Sequence, residues 1–437
     1  MNQNIKIPES KLPRVVIVGG GFGGLELAKH LRDSKFQVVV IDKHNYFTFQ
    51  PLLYQVATAA LEPSSIAAPF RAIFEGFNNV IFRMAQVYEV ATDQNKLRTS
   101  IGEIHYDFLV LATGSTTNFF GMNDVQEHAM PMKSISQALG LRSMILQNFE
   151  KAVSLEWKSD EQESLVDMVV VGGGPTGVET AGALAELKRH VLPNDYPELD
   201  FNMMDIYIVE LGPRLLAGMS QGASDKTQEF LEDMGVHVWL NTALVSYDGY
   251  RAVFNNGKTI LTTSLIYAAG VAGCLPEGIQ ATSVSRGRRL SVDSQLKVKG
   301  YINVFAIGDI ASYVPEGSTA PLPMVAQVAM QMGTYLAKYF RAGLPKDVKP
   351  FRYNDKGTMA TIGRNKAVAD IKFWKTQGFI AWFIWMFIHL MSLVGFANKI
   401  RVFMSWAYSY FSSDKRFRLI IRPHIKENEP EALTVDN

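Results

Sequence analysis

Apolar and polar positions follow three regimes along this chain. Short β-branched runs end abruptly in glycine or an acid: RVVIV before Gly19, FQVVVID ending at Asp42, MVVV at Met168–Val171, and MDIYIVE ending at Glu210. Each predicts a strand. Alanine- and leucine-rich stretches with helical spacing follow two of these runs, GLELAKHL after the first and GVETAGALAEL after the third. Strand, turn and helix therefore occur twice, and the fold class is α/β. The third regime is an uncharged stretch from Thr376 to Asn398. As one helix it would reach roughly 34 Å, enough to span a hydrocarbon core of about 30 Å.

The two turns carry the same glycine spacing. Gly19, Gly21 and Gly24 form the first, and Gly172, Gly174 and Gly177 the second. Glycines at these places allow a tight turn and a close approach of backbone to a pyrophosphate, which the following helix N-terminus attracts. One such loop is weak as a sign of a dinucleotide. Two in strand–turn–helix context imply two dinucleotides, a flavin reduced by a nicotinamide. Asp42 stands where a ribose hydroxyl needs an acceptor, and Glu210 takes that place in the second unit. A carboxylate at Glu210 favours NADH over NADPH, with Arg214 nearby pulling the other way. YDFLVLATG, ending at Thr113–Gly114, and INVFAIGDIAS, carrying Gly308–Asp309, suit the flavin unit. Asp309 also reads as a helix cap. Glu179, placed in the first turn of the second glycine-loop helix, is either an acid favoured by the helix dipole or a carboxylate projecting toward the nicotinamide–flavin contact.

Composition narrows the chemistry. The 437 residues, 47% hydrophobic, can bury more than one core. A net charge of +1 argues against a general nucleic-acid surface. Cys274 is the only cysteine, so paired-thiol chemistry, as in flavin disulfide reductases and sulfide:quinone oxidoreductases, lacks its second sulfur; no metal site is expected. The N-terminus has no secretory h-region. Near the C-terminus Trp374, Trp382, Trp385, Trp406, Tyr408 and Tyr410 suit a headgroup level, and His389, Ser392, Gly395, Asn398 and Lys399 form a narrow stripe at helical spacing. Lys399, Arg401, Lys415, Arg416, Arg418 and Arg422 outnumber Asp414, which suits anionic lipid. These features favour helices lying in the interface over one spanning helix, and the tail from Glu427 reads as disordered.

DKHNYFTFQPLLYQVATAAL, PLPMVAQVAMQMGTYLAK, KGTMATIGRNKAVAD and the aromatic C-terminal segment together resemble the type II NADH:quinone oxidoreductases. The match runs from about residue 13 to about residue 411, and FQPLLYQVAT and AQVAMQMG are more discriminating than the glycine loops. The resemblance implies that Gly19, Gly21, Gly24, Asp42, Lys43, Gln50, Thr113, Gly114, Asp309 and Ala326 line FAD. It implies that Gly172, Gly174, Gly177, Glu179 and Glu210 line NADH. Gln327 and Gln331 would border a quinone pocket, joined by Lys356, and Glu179 would serve in NADH positioning or proton relay. The expected protein is a two-Rossmann-domain flavoenzyme with a membrane-binding helical region, not pumping protons. It would be a homodimer held by its C-terminal helices to the cytoplasmic face of the inner membrane. Expected boundaries are 1–120 and 300–350 for the FAD domain, 121–299 for the NADH domain and 351–437 for the membrane region. A soluble ferredoxin-type reductase and a non-enzymatic NADH sensor are the alternatives; neither requires the apolar C-terminus.

Overall fold

The computed structural model describes residues 4–156, 159–372, 374–412 and 417–420. Lys415, Arg416, Arg422, Asp414 and the acidic tail lie outside them. The chain forms two compact units, residues 1–48, 67–118 and 271–355 in the first and 49–66, 119–270 and 356–437 in the second.

The first unit is built on a five-stranded parallel sheet, in the order Val304–Ala306, Phe108–Leu111, Arg14–Val18, Gln37–Asp42, Val80–Met84. Val15, Val16, Ile17, Val38, Val39 and Val40 are wholly buried, which explains runs with no polar face: helices cover a parallel sheet on both sides. The helices Phe22–His30 and Ala326–Arg341 run side by side in the same direction. An added Cβ on Gly333 would stand 2.5 Å from the Gly23 carbonyl oxygen, Thr334 Oγ1 donates to Glu26 Oε1 at 3.2 Å, and Arg341 Nε donates to the His30 carbonyl at 2.6 Å. Their N-termini therefore lie at the same end, where their dipoles add. Phe36, Phe108, Phe305 and Phe340 interlock edge to face at the far end.

The second unit repeats the plan, with strand order Met130–Pro131, Ser264–Tyr267, Met168–Val171, Ile206–Val209, Val236–Trp239, all parallel. Its glycine-loop helix spans Pro175–His190. Two segments join this unit that the expected boundaries assign elsewhere. Residues 49–66 enter it because Leu52, Leu53, Tyr54, Val56 and Ala57 are all buried, with the short helix Leu53–Ala57 against Ile135–Val153 and Pro175–His190. The residues from 356 onward begin as an antiparallel sheet, Thr358–Gly363, Lys366–Ile371 and Trp374–Gln377. It lies on the glycine-loop helix at Gly182, where a Cβ would stand 1.6 Å from the Ile362 carbonyl oxygen. The Asp370 carboxylate accepts from the Ser220 backbone N–H at 2.6 Å and its hydroxyl at 2.9 Å, fastening the sheet to a second helix, Gln221–Asp233.

The uncharged C-terminal stretch is not one helix. Trp374–Gln377 is a strand, Gly378 turns at φ +73°, Phe379–Ser392 is helical, and Gly395 at φ +87° precedes a second helix, Phe396–Ser412. Two left-handed glycines break what hydropathy alone would join. Among the described residues no helix is long and apolar enough to cross a membrane.

Candidate functional site

Each unit carries a glycine loop braced by an acid. In the first, Gly19 turns at φ +102°, and its Cβ would lie 2.3 Å from the Ala112 carbonyl oxygen, while one on Gly24 would lie 1.9 Å from that of Gly19. No residue but glycine fits either place. A Cβ on Gly21 would meet nothing within 4 Å, and no side chain caps the helix that Gly21 opens. That pairing of tight packing behind and open space in front is a cradle for a phosphate. Asp42 Oδ2 accepts from the Gly20 N–H at 2.7 Å and Oδ1 from the His44 N–H at 2.8 Å. Each oxygen keeps a lone pair for a ribose hydroxyl.

Other expected flavin residues gather around this loop. Thr113 Oγ1 is buried with no hydrogen-bond partner, which a bound group would satisfy. Gly114, at φ +70°, leads into Ser115–Thr117, which pairs with Val271–Gly273. Asp309 Oδ2 accepts from Ser115 Oγ at 2.6 Å. Gly308 lies against Ala329, so Asp309 and the first turn of Ala326–Arg341 come to the glycine loop together. Arg289, unforeseen in the sequence, is buried beside Asp309; it holds the Ala311 and Leu322 carbonyls and keeps its Nε unpartnered. Burial pushes its pKa down and the Asp309 charge offsets this. Lys43 is exposed. Gln50 is exposed too and belongs to the second unit. These features fit a flavin dinucleotide.

The second loop repeats the geometry. Gly172 turns at φ +114° against the Ala268 backbone, Gly177 packs on the Gly172 carbonyl, and the Cβ position of Gly174 is open. Glu210 Oε2 accepts from the Gly173 N–H at 2.6 Å and Oε1 from the Gly212 N–H at 2.7 Å. Glu210 and Asp42 thus brace their loops in the same two-handed way. Arg214 is turned to its own loop, donating to the Met219 carbonyl at 3.0 Å and the Ala217 carbonyl at 2.7 Å.

Glu179 stands apart from that loop. Pro175 opens the helix earlier than expected, so Glu179 lies in its second turn, not its first, and the dipole explains its presence less well. The side chain is 8% exposed, under the C-terminal sheet and the first C-terminal helix. Burial pushes its pKa up to about 8, opposed by the Thr361 backbone N–H, which reaches Oε1 at a long 3.5 Å, and by the Trp385 indole. Trp385 Nε1 is buried near this carboxyl without a hydrogen bond of normal geometry, so its influence there is weaker than that of the Thr361 N–H. Tyr54 is buried nearby, its phenol held well above its usual range by burial and by the Glu179 charge.

The expected quinone residues are divided. Gln327 is half-buried at the start of Ala326–Arg341. Gln331 closes on a neighbouring segment: its Nε2 donates to the Asn354 carbonyl and its Oε1 accepts from the Asn354 N–H, both at 2.9 Å. Its amide thereby holds residues 351–355 to the helix. Lys356 is exposed in the second unit, just before Gly357 at φ +97°.

The two C-terminal helices invert the usual pattern. Ala381, Trp385, Asn398 and Val402 are their buried residues, while Phe379, Phe383, Phe387, Phe396, Phe403 and Phe411 are each more than half exposed. The expected polar stripe is divided: Asn398 is buried and His389 and Lys399 are half-buried, whereas Ser392 and Gly395 are exposed. His389 stacks on Trp385 at 4.0 Å, and its Nδ1 bonds to the Trp385 carbonyl. Burial pushes its pKa down to about 4, that bond opposing the shift, so the ring is neutral near pH 7. Lys399 Nζ donates to the Met391 carbonyl at 2.7 Å.

Comparison with known proteins agrees with this arrangement. Residues 13–333 match the pyridine nucleotide-disulphide oxidoreductase family, and residues 356–413 match the NDH2 C-terminal domain. The chain is 36% identical over 418 residues to the type II NADH:quinone oxidoreductase Ndh of Mycobacterium tuberculosis, covering 92% of this chain and 88% of that protein. It is 29% identical over 416 residues to the type II NADH:quinone oxidoreductase of Haemophilus influenzae, covering 87% and 93%. Its fold superposes on NDH2 from Plasmodium falciparum with a TM-score of 0.85 at 22% identity, over 94% of this chain and 100% of that one. A chain with two acid-braced glycine loops and an NDH2-type C-terminus belongs to the type II NADH:quinone oxidoreductases, within the pyridine nucleotide-disulphide oxidoreductase family.

Proposed function

We propose that this protein oxidises NADH and reduces a membrane quinone through bound FAD: NADH, one proton and a quinone become NAD+ and a quinol, without proton pumping. The observation that carries this reading is the duplicated, acid-braced glycine loop in a chain related along most of its length to named NADH:quinone oxidoreductases. When bound, FAD accepts hydride from NADH and returns two electrons to the quinone.

The residues of the chain bind, orient and hold a proton. Gly19, Gly21, Gly24, Asp42, Thr113, Gly114, Asp309 and Ala326 hold FAD, with Lys43 and Gln50 at its margin. Gly172, Gly174, Gly177 and Glu210 hold NADH, and the Glu210 carboxylate disfavours a 2′-phosphate. Gln327 contacts the quinone; Gln331 keeps the start of that helix fixed through Asn354, and Lys356 is a further quinone contact. Glu179 is protonated near pH 7. Its carboxyl, which the Thr361 N–H reaches at Oε1, can give that proton in the step in which the quinone takes up protons. Exposed phenylalanines on both C-terminal helices support monotopic attachment to a membrane; the cytoplasmic face of the inner membrane is our proposed location. A homodimer is our proposed assembly.

Steady-state assay in detergent with a short-chain quinone tests the function. NADH should support turnover well above NADPH. Equal use of the two would overturn the role given to Glu210, and no turnover with either would overturn the function.

A further inference from the structure

The loop that carries Glu210 is held from both sides and yet exposes an apolar side chain. On one side the two Glu210 carboxylate oxygens accept from the Gly173 and Gly212 N–H groups. On the other, three backbone bonds join the loop to the end of the neighbouring strand Val236–Trp239. The Glu210 N–H donates to the Trp239 carbonyl at 2.9 Å, the Asn241 N–H to the Gly212 carbonyl at 3.0 Å, and the Thr242 N–H to the Glu210 carbonyl at 2.9 Å. Between Glu210 and Gly212 stands Leu211, whose surface is 69% exposed.

A lone exposed leucine needs no explanation on most surfaces. The connectivity of a dinucleotide gives this one a meaning. A ribose carries its base and its 5′ carbon at opposite ends of the ring, with the two hydroxyls along the edge between them. With the pyrophosphate on the loop of Gly172, Gly174 and Gly177 and the hydroxyl edge on Glu210, the base lies beyond Glu210, away from the glycine loop. The strands run Met168–Val171, Ile206–Val209, Val236–Trp239 in that order across the sheet. Beyond Glu210 are therefore the ends of the last two strands, residues 210–212 and 240–242. Among the described residues of these two stretches, Leu211 is the one large apolar side chain that is exposed.

We propose that Leu211 is a specificity-determining contact of the NADH site, its side chain covering one face of the adenine ring. The inference rests on the reading of Glu210 as the ribose acceptor and adds what lies beyond the ribose. The loop is fixed by its own bonds before the nucleotide arrives, so little ordering is lost when the base docks. The leucine surface leaves water when the flat, apolar face of the base covers it. Because the contact is remote from the nicotinamide, it holds the ground state and the transition state alike. It sets KM and leaves kcat alone, and it favours the dinucleotide over a nicotinamide mononucleotide.

Steady-state kinetics of the detergent-solubilised holoprotein with a short-chain quinone test this. NADH is compared with reduced nicotinamide mononucleotide, which has the reacting ring and no adenine. Leu211→Ser should raise KM for NADH about five- to tenfold, the worth of partly covering one leucine, with kcat unchanged. The rise should be absent with the mononucleotide, a split that a general loosening of the unit would not produce. Leu211→Met keeps the apolar area and should keep the parent KM. Calorimetry with ADP-ribose, which has the adenosine and no nicotinamide, should show affinity lost by the same factor in Leu211→Ser. Unchanged ADP-ribose affinity in Leu211→Ser would overturn the proposal, and so would an equal loss with the mononucleotide. If ADP-ribose affinity falls in Leu211→Ser and not in Glu210→Gln, the adenine contact stands and the ribose role of Glu210 falls. If neither reduced nucleotide supports turnover in the parent, the function falls, and ADP-ribose calorimetry still decides for or against Leu211.

Discussion

Replacing Glu179 with glutamine should make the protein more stable, and increasingly so as pH rises. Burial lifts this carboxyl from 4.5 to about 8. The folded state therefore holds a proton that the unfolded chain releases from about pH 4.5 upward. A group raised in this way contributes its full stability below the unfolded pKa and loses it as pH rises toward the folded one. The shift corresponds to roughly 5 kcal/mol in all, of which about 4 kcal/mol accrues between about pH 5 and pH 9. Glutamine has nearly the same shape, accepts from Thr361 through its oxygen, and carries no charge to desolvate. The difference in unfolding free energy, Glu179→Gln minus the parent, should climb by about that 4 kcal/mol across the range. Urea unfolding in detergent, followed by tryptophan fluorescence because Trp385 lies beside Glu179, measures it directly. Parallel curves for the two proteins would refute a buried, protonated Glu179. So would a difference that falls with pH.

Gly182→Val should loosen the C-terminal sheet from the glycine-loop helix, because its Cβ would meet the Ile362 carbonyl oxygen at 1.6 Å. A cost of about 3 kcal/mol or more is expected, read as lower unfolding free energy and faster proteolysis near residues 356–377. Glu210→Gln should raise KM for NADH about tenfold with little change in kcat, since it weakens two backbone bonds and one ribose contact without touching the reacting atoms; steady-state kinetics check this. Phe387→Glu with Phe403→Glu should release the protein from liposomes at a cost of about 2–3 kcal/mol each, measured by co-sedimentation. Undiminished binding would remove these helices from the membrane surface.

The glycine loops and their acids were legible because their chemistry is local. Gly19, Gly24, Gly172 and Gly177 are dictated by backbone contacts within a few residues or by the adjacent strand end, and Asp42 and Glu210 close on loops that the same short pattern defines. What escaped the sequence depends on long-range packing. FQPLLYQVAT gave a resemblance but not the fact that Tyr54 and Gln55 are buried in the second unit. A glutamine inside an apolar run asks for a partner, and only the fold supplies Trp406, 351 residues away. The strands after Gly357 were hidden by their short alternation. The single hydrophobic stretch became two helices because Gly378 and Gly395 adopt positive φ, which hydropathy does not register. Gln331, expected beside a quinone, uses its amide on Asn354, a pairing that helical spacing could not reveal.

The central claim is that two electrons pass from NADH through flavin to a quinone. Anaerobic rapid mixing of the flavin-containing protein, first with NADH and then with quinone, tests it most directly. Flavin absorbance should bleach on the first mixing, far faster with NADH than with NADPH, and return in full on the second. Flavin that does not bleach with NADH, or that bleaches and is not reoxidised by quinone, would contradict the account.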